Sequence, residues 1–584
     1  MMSAGNPFLL FDFETKKGRN SPYIFQDPVL VYQTNDLQGI TTIFSKLEDA
    51  IDEGYYVAGC VSYEAAPAFD STLSVHSHSA FPLVWFGVFE RPANIEIPAF
   101  NEPYHVTKWT YGLSYNQYQA AIGKIKDAIE AGNTYQINFT SRLQAQFSGD
   151  DFSFYQQLAR NQQAAYSAYL NLGRFRVLSA SPELFFQVEE NRISAKPMKG
   201  TAKRGRFPSE DLSLKEQLKQ SKKEQAENVM IVDLIRNDIG RIAVPGSVRV
   251  PDLFVVESYP TVHQMTSTVE AELEEHTTIF DWFQALFPCG SITGAPKRST
   301  MNYIAELEQS PRDVYCGAIG FITPKREAIF NVPIRTVLLD TNQNKAIYGV
   351  GGGITWDSTV AGEYEEMAAK AQLLTERRPE FQLLESLALT CGDYPLLNEH
   401  LNRLRDSARY FNFKMNEEDV KNHLHQLAST CTDGEHKVRL LINRFGEVST
   451  ESSRISKTQE PVNCSLAKSP IDRRDPYLYH KTTNRTIYER HQQQAANDVF
   501  SVLLWNEQNE ITEFTTGNVV LKQGSKFYTP PVTCGLLEGT FRKQLLDQGI
   551  IEEKRINKED LAEYDEIWFI NGVRGWLRVN LIFS

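Results

Sequence analysis

The sequence predicts an α+β protein built as two tandem units, the first larger than the second. Three observations predict it. The 584 residues exceed what a single hydrophobic core serves. Helix-period and strand-period patterns alternate along the chain. A charged break, "TERRPE" at 375–380, carries Arg-Arg-Pro after a long helical pattern and reads as a linker. The expected units are therefore 1–374 and 381–584.

Composition narrows the function classes. With 41% hydrophobic, 23% charged and 11% aromatic residues, the chain has the apolar material for large cores. A net charge of −13 with no long basic stripe argues against nucleic-acid binding, although a local Arg/Lys cluster can hold a small anion. Seven cysteines (60, 289, 316, 391, 431, 464, 534) show no metal-ligand spacing, which fits reduced thiols in a cytoplasmic protein. The opening "MMSAGNPFLLFDFETKK" places acidic residues directly after a short apolar run, unlike a signal peptide. No apolar run approaches ~18 residues, so no membrane span is expected.

Taken in order, about 8–105 is β-rich, with short apolar runs such as "FPLVWFGVFE" between turn residues. "SYNQYQAAIGKIKDAIEAGNTYQINFT" reads as an amphipathic helix ended at Gly132-Asn133 and followed by a strand. "FRVLSASPELFFQVEENRI" reads as two short strands, leading into "ISAKPMKGTAKRG". Helices follow in "EQAENVMIVDLIRNDIGRIA", "TIFDWFQALF" and "STVAGEYEEMAAKAQLL". The second unit starts with the strand-like "FQLLESLAL", a turn at Gly392-Asp393 and the helix "LLNEHLNRLRDSARYFNF".

Three features of the first unit carry chemistry. Glu183 and Lys199 fall on adjacent predicted strands, where a hairpin brings an acid and an amine together; a lysine buried there is able to act as base or nucleophile, and a surface ion pair is the alternative. Glu227 is able to face a cavity from its helix, paired with the Gly-rich "SITGAPK" and "GVGGGITWDS", whose backbone N–H groups can hold phosphate or carboxylate, with a simple tight turn at Gly351 to Gly353 as the alternative. Glu363 and Glu366 share a helix face at i and i+3. Glu227 and Glu366 suffice as protein ligands for Mg2+, which takes one or two carboxylates plus waters and substrate oxygens.

From about 115 to 374 the chain resembles the chorismate-utilising enzymes, through "KKEQAENVMIVDLIRNDIGRIAVPGSVRVPDLFVVESYPTVHQMTSTV", "FPCGSITGAPK", "YCGAIGF" and "IRTVLL". The resemblance implies an α/β sandwich that binds chorismate. It implies Mg2+ on Glu227 and Glu366, and an enolpyruvyl carboxylate held by Tyr315 and Arg335 with the Gly351, Gly352 and Gly353 backbone. Thr293 and Gly294 would line the ring pocket, with His263 close by. Lysine at 199, where anthranilate synthases look to have a small residue, is the pattern of the aminodeoxychorismate synthase branch. That branch's chemistry implies Lys199 as the nucleophile at C2 of chorismate and Glu183 as the acid for the departing C4 hydroxyl. Ammonia is required, yet no cysteine has the Gly-x-Cys-x-Gly context of a glutaminase, so free ammonia or a separate glutamine amidotransferase subunit is expected.

In the second unit, Lys481 in "HKTTNRTIYE", Glu513 in "NEITEFTTGNVVL" and the helix opened by "PPVTCGLLEGTFRKQLL" match the three needs of pyridoxal 5'-phosphate: an amine, a carboxylate for the ring nitrogen and a helix N-terminus for the phosphate. Each alone is commoner as a surface lysine, a strand glutamate or an ordinary cap. Together they resemble the fold-type IV pyridoxal-phosphate enzymes over about 381–584, which implies a smaller α+β domain. The resemblance places Arg403, Thr516 and the backbone of Thr540 and Phe541 on the phosphate. "KTTNR" and "IWFINGVRGWLRV" look like 4-amino-4-deoxychorismate lyase. "VRLLINRFGEVS" departs from the family's Gly-rich arginine stretch, leaving Arg439, Arg444 or Arg574 for substrate carboxylates. The rival readings are an anthranilate-type synthase fused to an aminotransferase, and a synthase with a degenerate docking domain.

Overall fold

The strand Phe8–Phe13 sends alternate side chains into two cores: Leu9, Phe11 and Phe13 into one, Phe8 and Leu10 into the other. A two-residue side-chain period does this only where a strand is buried on both faces. The pattern generates the whole first unit of this computed structural model, which describes residues 6–14, 22–77, 80–95, 97, 102–431, 434–496 and 498–582. Of the opening stretch read above, residues 1–5 and 15–17 lie outside them.

Among the described residues the first unit has two ten-stranded sheets. Phe11, Leu170, Val177 and Leu338 from one sheet meet Ala58, Trp85, Ile319 and Phe321 from the other in a shared core. Helices Leu37–Asp52, Lys222–Gly240 and Ile279–Leu286 cover the outer face of one sheet. Helices Tyr115–Glu130, Asp151–Gln162 and Val360–Ala371 cover the other. This is the expected α/β sandwich, with helices outside both sheets, and each fully buried Phe or Leu in it contributes about 1.5–3 kcal/mol. Ser114 and Gln117 form a capping box on Tyr115–Glu130, and Gly132 (φ 72°) ends it where the sequence places the stop.

The two strands read in "FRVLSASPELFFQVEENRI" are Phe175–Ser181 and Leu184–Glu189, but they lie in different sheets. The chain crosses the sandwich between them, at Glu183. The true hairpin is Leu184–Glu189 with Arg192–Lys196, pairing Leu184 with Lys196. Its continuation, Met198–Lys203, carries Lys199.

The second unit contains a three-stranded antiparallel sheet, Leu383–Thr390, Glu435–Ile442 and Val448–Arg454, packed under helices Leu397–Phe411 and Glu417–Thr430. Its larger sheet closes on itself: Ile511–Phe514 pairs with both Ser501–Trp505 and Gly517–Gln523, completing a barrel with Val462–Leu466, Gly575–Ile582 and Glu566–Asn571. Closure removes the exposed edges of those strands.

The division between the units is not a single cut. Residues 203–215, expected within the first unit at 1–374, belong to the second together with 379–584. Their packing explains this: the Arg204 guanidinium lies over the Tyr410 ring and the Phe207 ring packs on Tyr479. The segment 375–380 has no helix or strand, and the Glu376 carbonyl accepts from Gln157 and Asn161 of the first unit. No described helix is long and apolar enough to cross a membrane.

Candidate active sites

In the first unit, the short turn Gly290–Ile292 organises the acid and the amine. Lys199 Nζ donates to the Ser291 carbonyl at 3.0 Å. Glu183 is buried; the Ser291 hydroxyl and the Met198 N–H favour its ionised form, but burial prevails and raises its pKa. Its Oε1 finds no hydrogen-bond partner among the described residues, leaving one carboxyl oxygen for a ligand. Desolvation lowers the Lys199 pKa, opposed by Glu183 and Glu227 and reinforced by Lys370. The hairpin expectation therefore holds, with Ser291 as the bridge the sequence did not disclose.

The glutamates converge from two helices. Burial and then the like charge of Glu224 raise Glu227. Glu363 is raised by burial and by Glu366, and Ser358 donates to it at 2.6 Å. Burial alone would raise Glu366, but Lys370, bonded at 2.7 Å, brings it below its ordinary value. Among the described residues no three His, Cys, Asp or Glu side chains are arranged as a metal cage. Two mutually repelling carboxylates with room for substrate oxygens nevertheless fit Mg2+, which keeps most of its shell from water and ligand. Gly352 lies beside them: a Cβ there would sit 3.3 Å from Glu363 Oε2, 3.6 Å from Lys370 Nζ and 3.7 Å from Glu366 Oε1.

The other ring-pocket candidates are placed by the same sheets. Gly351, Gly352 and Gly353 pair with Thr140, Phe139 and Asn138. The Thr293 carbonyl accepts from Asn138 N at 2.8 Å, and Gly294 pairs with Ile137. His263 is fully buried with Nδ1 3.0 Å from Ser258 Oγ. The Tyr315 ring lies against Gly349 and under Arg142. Arg335 adopts a left-handed backbone (φ 52°), a strained choice for a non-glycine residue, and desolvation lowers its pKa beside Tyr348 and Tyr259.

In the second unit, Lys481 lies between the barrel and the small sheet, its carbonyl accepting from Leu384 N at 3.0 Å. Desolvation and then Arg403 lower its pKa to about 7. Glu513 is buried, its pKa raised to about 7 by desolvation against the pull of Tyr488, which donates to Oε1 at 2.7 Å. Asn518 donates to Oε2 at 3.3 Å. Arg403 grips Glu385 through Nε (2.9 Å) and Nη2 (2.7 Å) and reaches the Glu538 carbonyl through Nη1 (3.0 Å). His400 joins Glu385 at 2.6 Å and Thr540 Oγ1 at 3.4 Å. The helix Thr540–Asp547 has Gly539 as its N-cap and no side-chain cap, so its first N–H groups stay open to an anion. A Cβ at Gly539 would sit 1.9 Å from Asn518 Oδ1. An open helix start beside an arginine, a low-pKa lysine and a buried carboxyl fit the phosphate, aldehyde and ring nitrogen of pyridoxal 5'-phosphate. Thr516 is exposed, 3.2 Å from Ser501 Oγ, and Phe541 packs edge-on to Trp576.

Of the three arginines considered for substrate carboxylates, Arg439 and Arg574 act with Arg485 on Lys437, whose pKa falls first through desolvation and then through them; Arg444 instead lies over Phe445. Sequence reasoning missed Ser291, Lys370, Glu385, His400 and Tyr488. Lys370 was findable as the i+4 partner of Glu366, and Glu385 as a charge inside the apolar strand "LLESLALT".

Each unit brings a lysine of lowered pKa beside a buried carboxyl, Lys199 with Glu183 and Lys481 with Glu513. The chain belongs to the chorismate binding enzymes, whose family it matches over residues 6–376. Residues 382–582 match amino-transferase class IV. Aminodeoxychorismate synthase component 1 of Klebsiella aerogenes is 43% identical over 258 residues, 44% of this chain and 57% of that protein. Anthranilate synthase component 1 of Lactococcus lactis is 37% identical over 287 residues, 48% of this chain and 62% of that protein. The chain thus spans less than two thirds of the length of these relatives. The crystal structure of anthranilate synthase component I from Streptococcus pneumoniae superposes with a TM-score of 0.52 at 26% identity, covering 63% of this chain and 90% of that one.

Proposed function

We propose that the chain makes 4-aminobenzoate in two steps: amination of chorismate to 4-amino-4-deoxychorismate in the first unit, then elimination of pyruvate in the second. The observation that carries the reading is Lys199, of lowered pKa, held by Ser291 beside the buried Glu183. Anthranilate synthases look to have a small residue at that position.

Mg2+ held by Glu227 and Glu366 supplies positive charge for the ring carboxylate. Tyr315, Arg335 and the Gly351–Gly353 backbone hold the enolpyruvyl carboxylate, with Thr293, Gly294 and His263 around the ring. Lys199 Nζ attacks C2 as the C4–O bond breaks, and Glu183 gives its proton to the departing hydroxyl, releasing water. Ammonia then bonds to C4 and expels the lysine amine from C2. The ammonia comes from solution or from a separate glutamine amidotransferase.

Pyridoxal 5'-phosphate, when bound, supplies a ring that withdraws electrons from the carbon beside the substrate nitrogen. Arg403 and the start of the Thr540–Asp547 helix hold its phosphate, with Thr516 at the rim, and Glu513 keeps a proton at the ring nitrogen. Lys481 would take the proton from C4 of the substrate. The C3–O bond breaks as the ring becomes aromatic, and the departing enolpyruvate takes up a proton to become pyruvate. Lys437, Arg439 and Arg574 supply positive charge for the substrate carboxylates. All seven cysteines are free, in keeping with a cytoplasmic enzyme.

Product analysis with chorismate, Mg2+, ammonium salt and pyridoxal 5'-phosphate tests the reading. The expected products are 4-aminobenzoate and pyruvate. Anthranilate as the product would overturn the first step, and 4-amino-4-deoxychorismate that persists would overturn the second.

A further inference from the structure

The second unit is assembled from two stretches of chain that the sequence keeps far apart, 379–584 and 203–215. The short stretch is tightly held. Arg204 grips both Asp211 oxygens, Nε at 2.7 Å and Nη2 at 2.8 Å, and Nη2 also donates to the Tyr410 carbonyl at 3.0 Å. Its guanidinium lies 4.2 Å from the Tyr410 ring centroid. The Tyr410 hydroxyl returns a bond to the Gly205 carbonyl at 2.8 Å.

The Tyr410 ring also stacks on His480, centroids 4.2 Å apart at 30°. His480 is buried, with Nδ1 3.0 Å from Ser407 Oγ and no partner for Nε2 among the described residues. Burial, then the nearby Arg204, push its pKa down to about 3, so the ring is neutral. The next residue is Lys481, whose carbonyl is tied to Leu384 N. The backbone that carries the lysine is thus fixed by a bond to the small sheet at Lys481 and by a ring stack at His480. The outermost member of that stack comes from the middle of the first unit's sequence.

We infer that residues 203–215 are a positioning element for Lys481, acting through the Arg204–Tyr410–His480 stack. The inference rests on the pyridoxal-phosphate reading of the second unit. A lysine must meet its cofactor within a fraction of an ångström, and the residues behind it set that precision. The lyase centre therefore requires a segment encoded between Lys199 and Glu227.

The test uses the full chain stripped of cofactor, as wild type and as the variants Arg204→Ala, Tyr410→Leu and Tyr410→Phe. Each is titrated with pyridoxal 5'-phosphate, followed by the absorbance of the lysine-linked cofactor and by the mass fixed on Lys481 after borohydride. Arg204→Ala and Tyr410→Leu are expected to weaken half-saturation at least about tenfold and to lower the fixed fraction even at saturating cofactor. Tyr410→Phe, which keeps the ring, is expected to stay within about threefold of wild type. A merely structural role would lower the unfolding temperature and leave the fixed fraction at saturation unchanged, and that result overturns the inference. So does wild-type half-saturation in both Arg204→Ala and Tyr410→Leu. A wild-type chain that never fixes cofactor overturns the underlying reading instead.

Discussion

Lys370 Nζ donates to Glu366 Oε1 at 2.7 Å and to the Gly351 carbonyl at 2.9 Å, so a carboxylate expected on the metal already has an ammonium partner one helical turn away. The same ammonium disfavours the charged form of Lys199. Lys370 thus couples the proposed metal site to the proposed nucleophile.

Glu227→Gln and Glu366→Gln should each cost at least about 10–100-fold in Mg2+-dependent amination, because an amide removes charge the cation needs. Initial rates across a Mg2+ titration measure this. An unchanged Mg2+ dependence in either variant would reject the ligand assignment.

Lys199→Ala should abolish amination of chorismate by ammonium while Mg2+-dependent chorismate binding persists. Glu183→Gln should slow the step by about 10²–10⁴-fold, the worth of a general acid. Chorismate consumption, with binding followed separately by calorimetry, distinguishes the two effects. Near-wild-type turnover by Lys199→Ala would sink the covalent role.

In the second unit, Glu513→Gln should retain cofactor through Arg403 and the Thr540–Phe541 turn but slow pyruvate release strongly. Lys481→Ala should make the chain accumulate 4-amino-4-deoxychorismate from chorismate and ammonium. Chromatography of the reaction mixture reads both. Release of 4-aminobenzoate at the wild-type rate by Lys481→Ala would mean the second unit is not the lyase.

Glu385 should govern acid stability of the second unit. Burial opposes its charge, but Arg403 and His400 outweigh burial and hold its carboxyl well below the usual carboxylate range. The folded pKa lies below the unfolded one, so the stabilisation is present above about pH 4.5 and is lost as pH falls toward the folded value. Glu385→Gln should cost about 3–5 kcal/mol at neutral pH, since Arg403 is left without its carboxylate. It should also flatten the acid limb of the unfolding profile. Denaturant unfolding from pH 3 to 8 checks both, and an acid limb of unchanged steepness would refute the role.

Much of the architecture was legible because local patterns state it. Ser114, Gln117 and Gly132 bound one helix by their own hydrogen-bonding and backbone preferences, and the nearly continuous apolar run "FLLFDF" suits a strand with two buried faces. The Glu183–Lys199 meeting was legible too, because a short hairpin connects residues close in sequence. The crossing of the sandwich at Glu183 was not, since each strand reads the same whichever sheet it joins.

By itself the sequence determined which chemical groups the protein has and the local elements that present them: Lys199 and Lys481, the Glu227 and Glu366 helices, the glycine run, and the open helix start after Gly539. Only the tertiary structure decided their company. Ser291 between acid and amine, Lys370 against Glu366, Glu385 under Arg403, and residues 203–215 behind His480 are contacts between distant positions. The physical reason is that desolvation and charge pairing depend on distance in space, and no local pattern in the sequence encodes it.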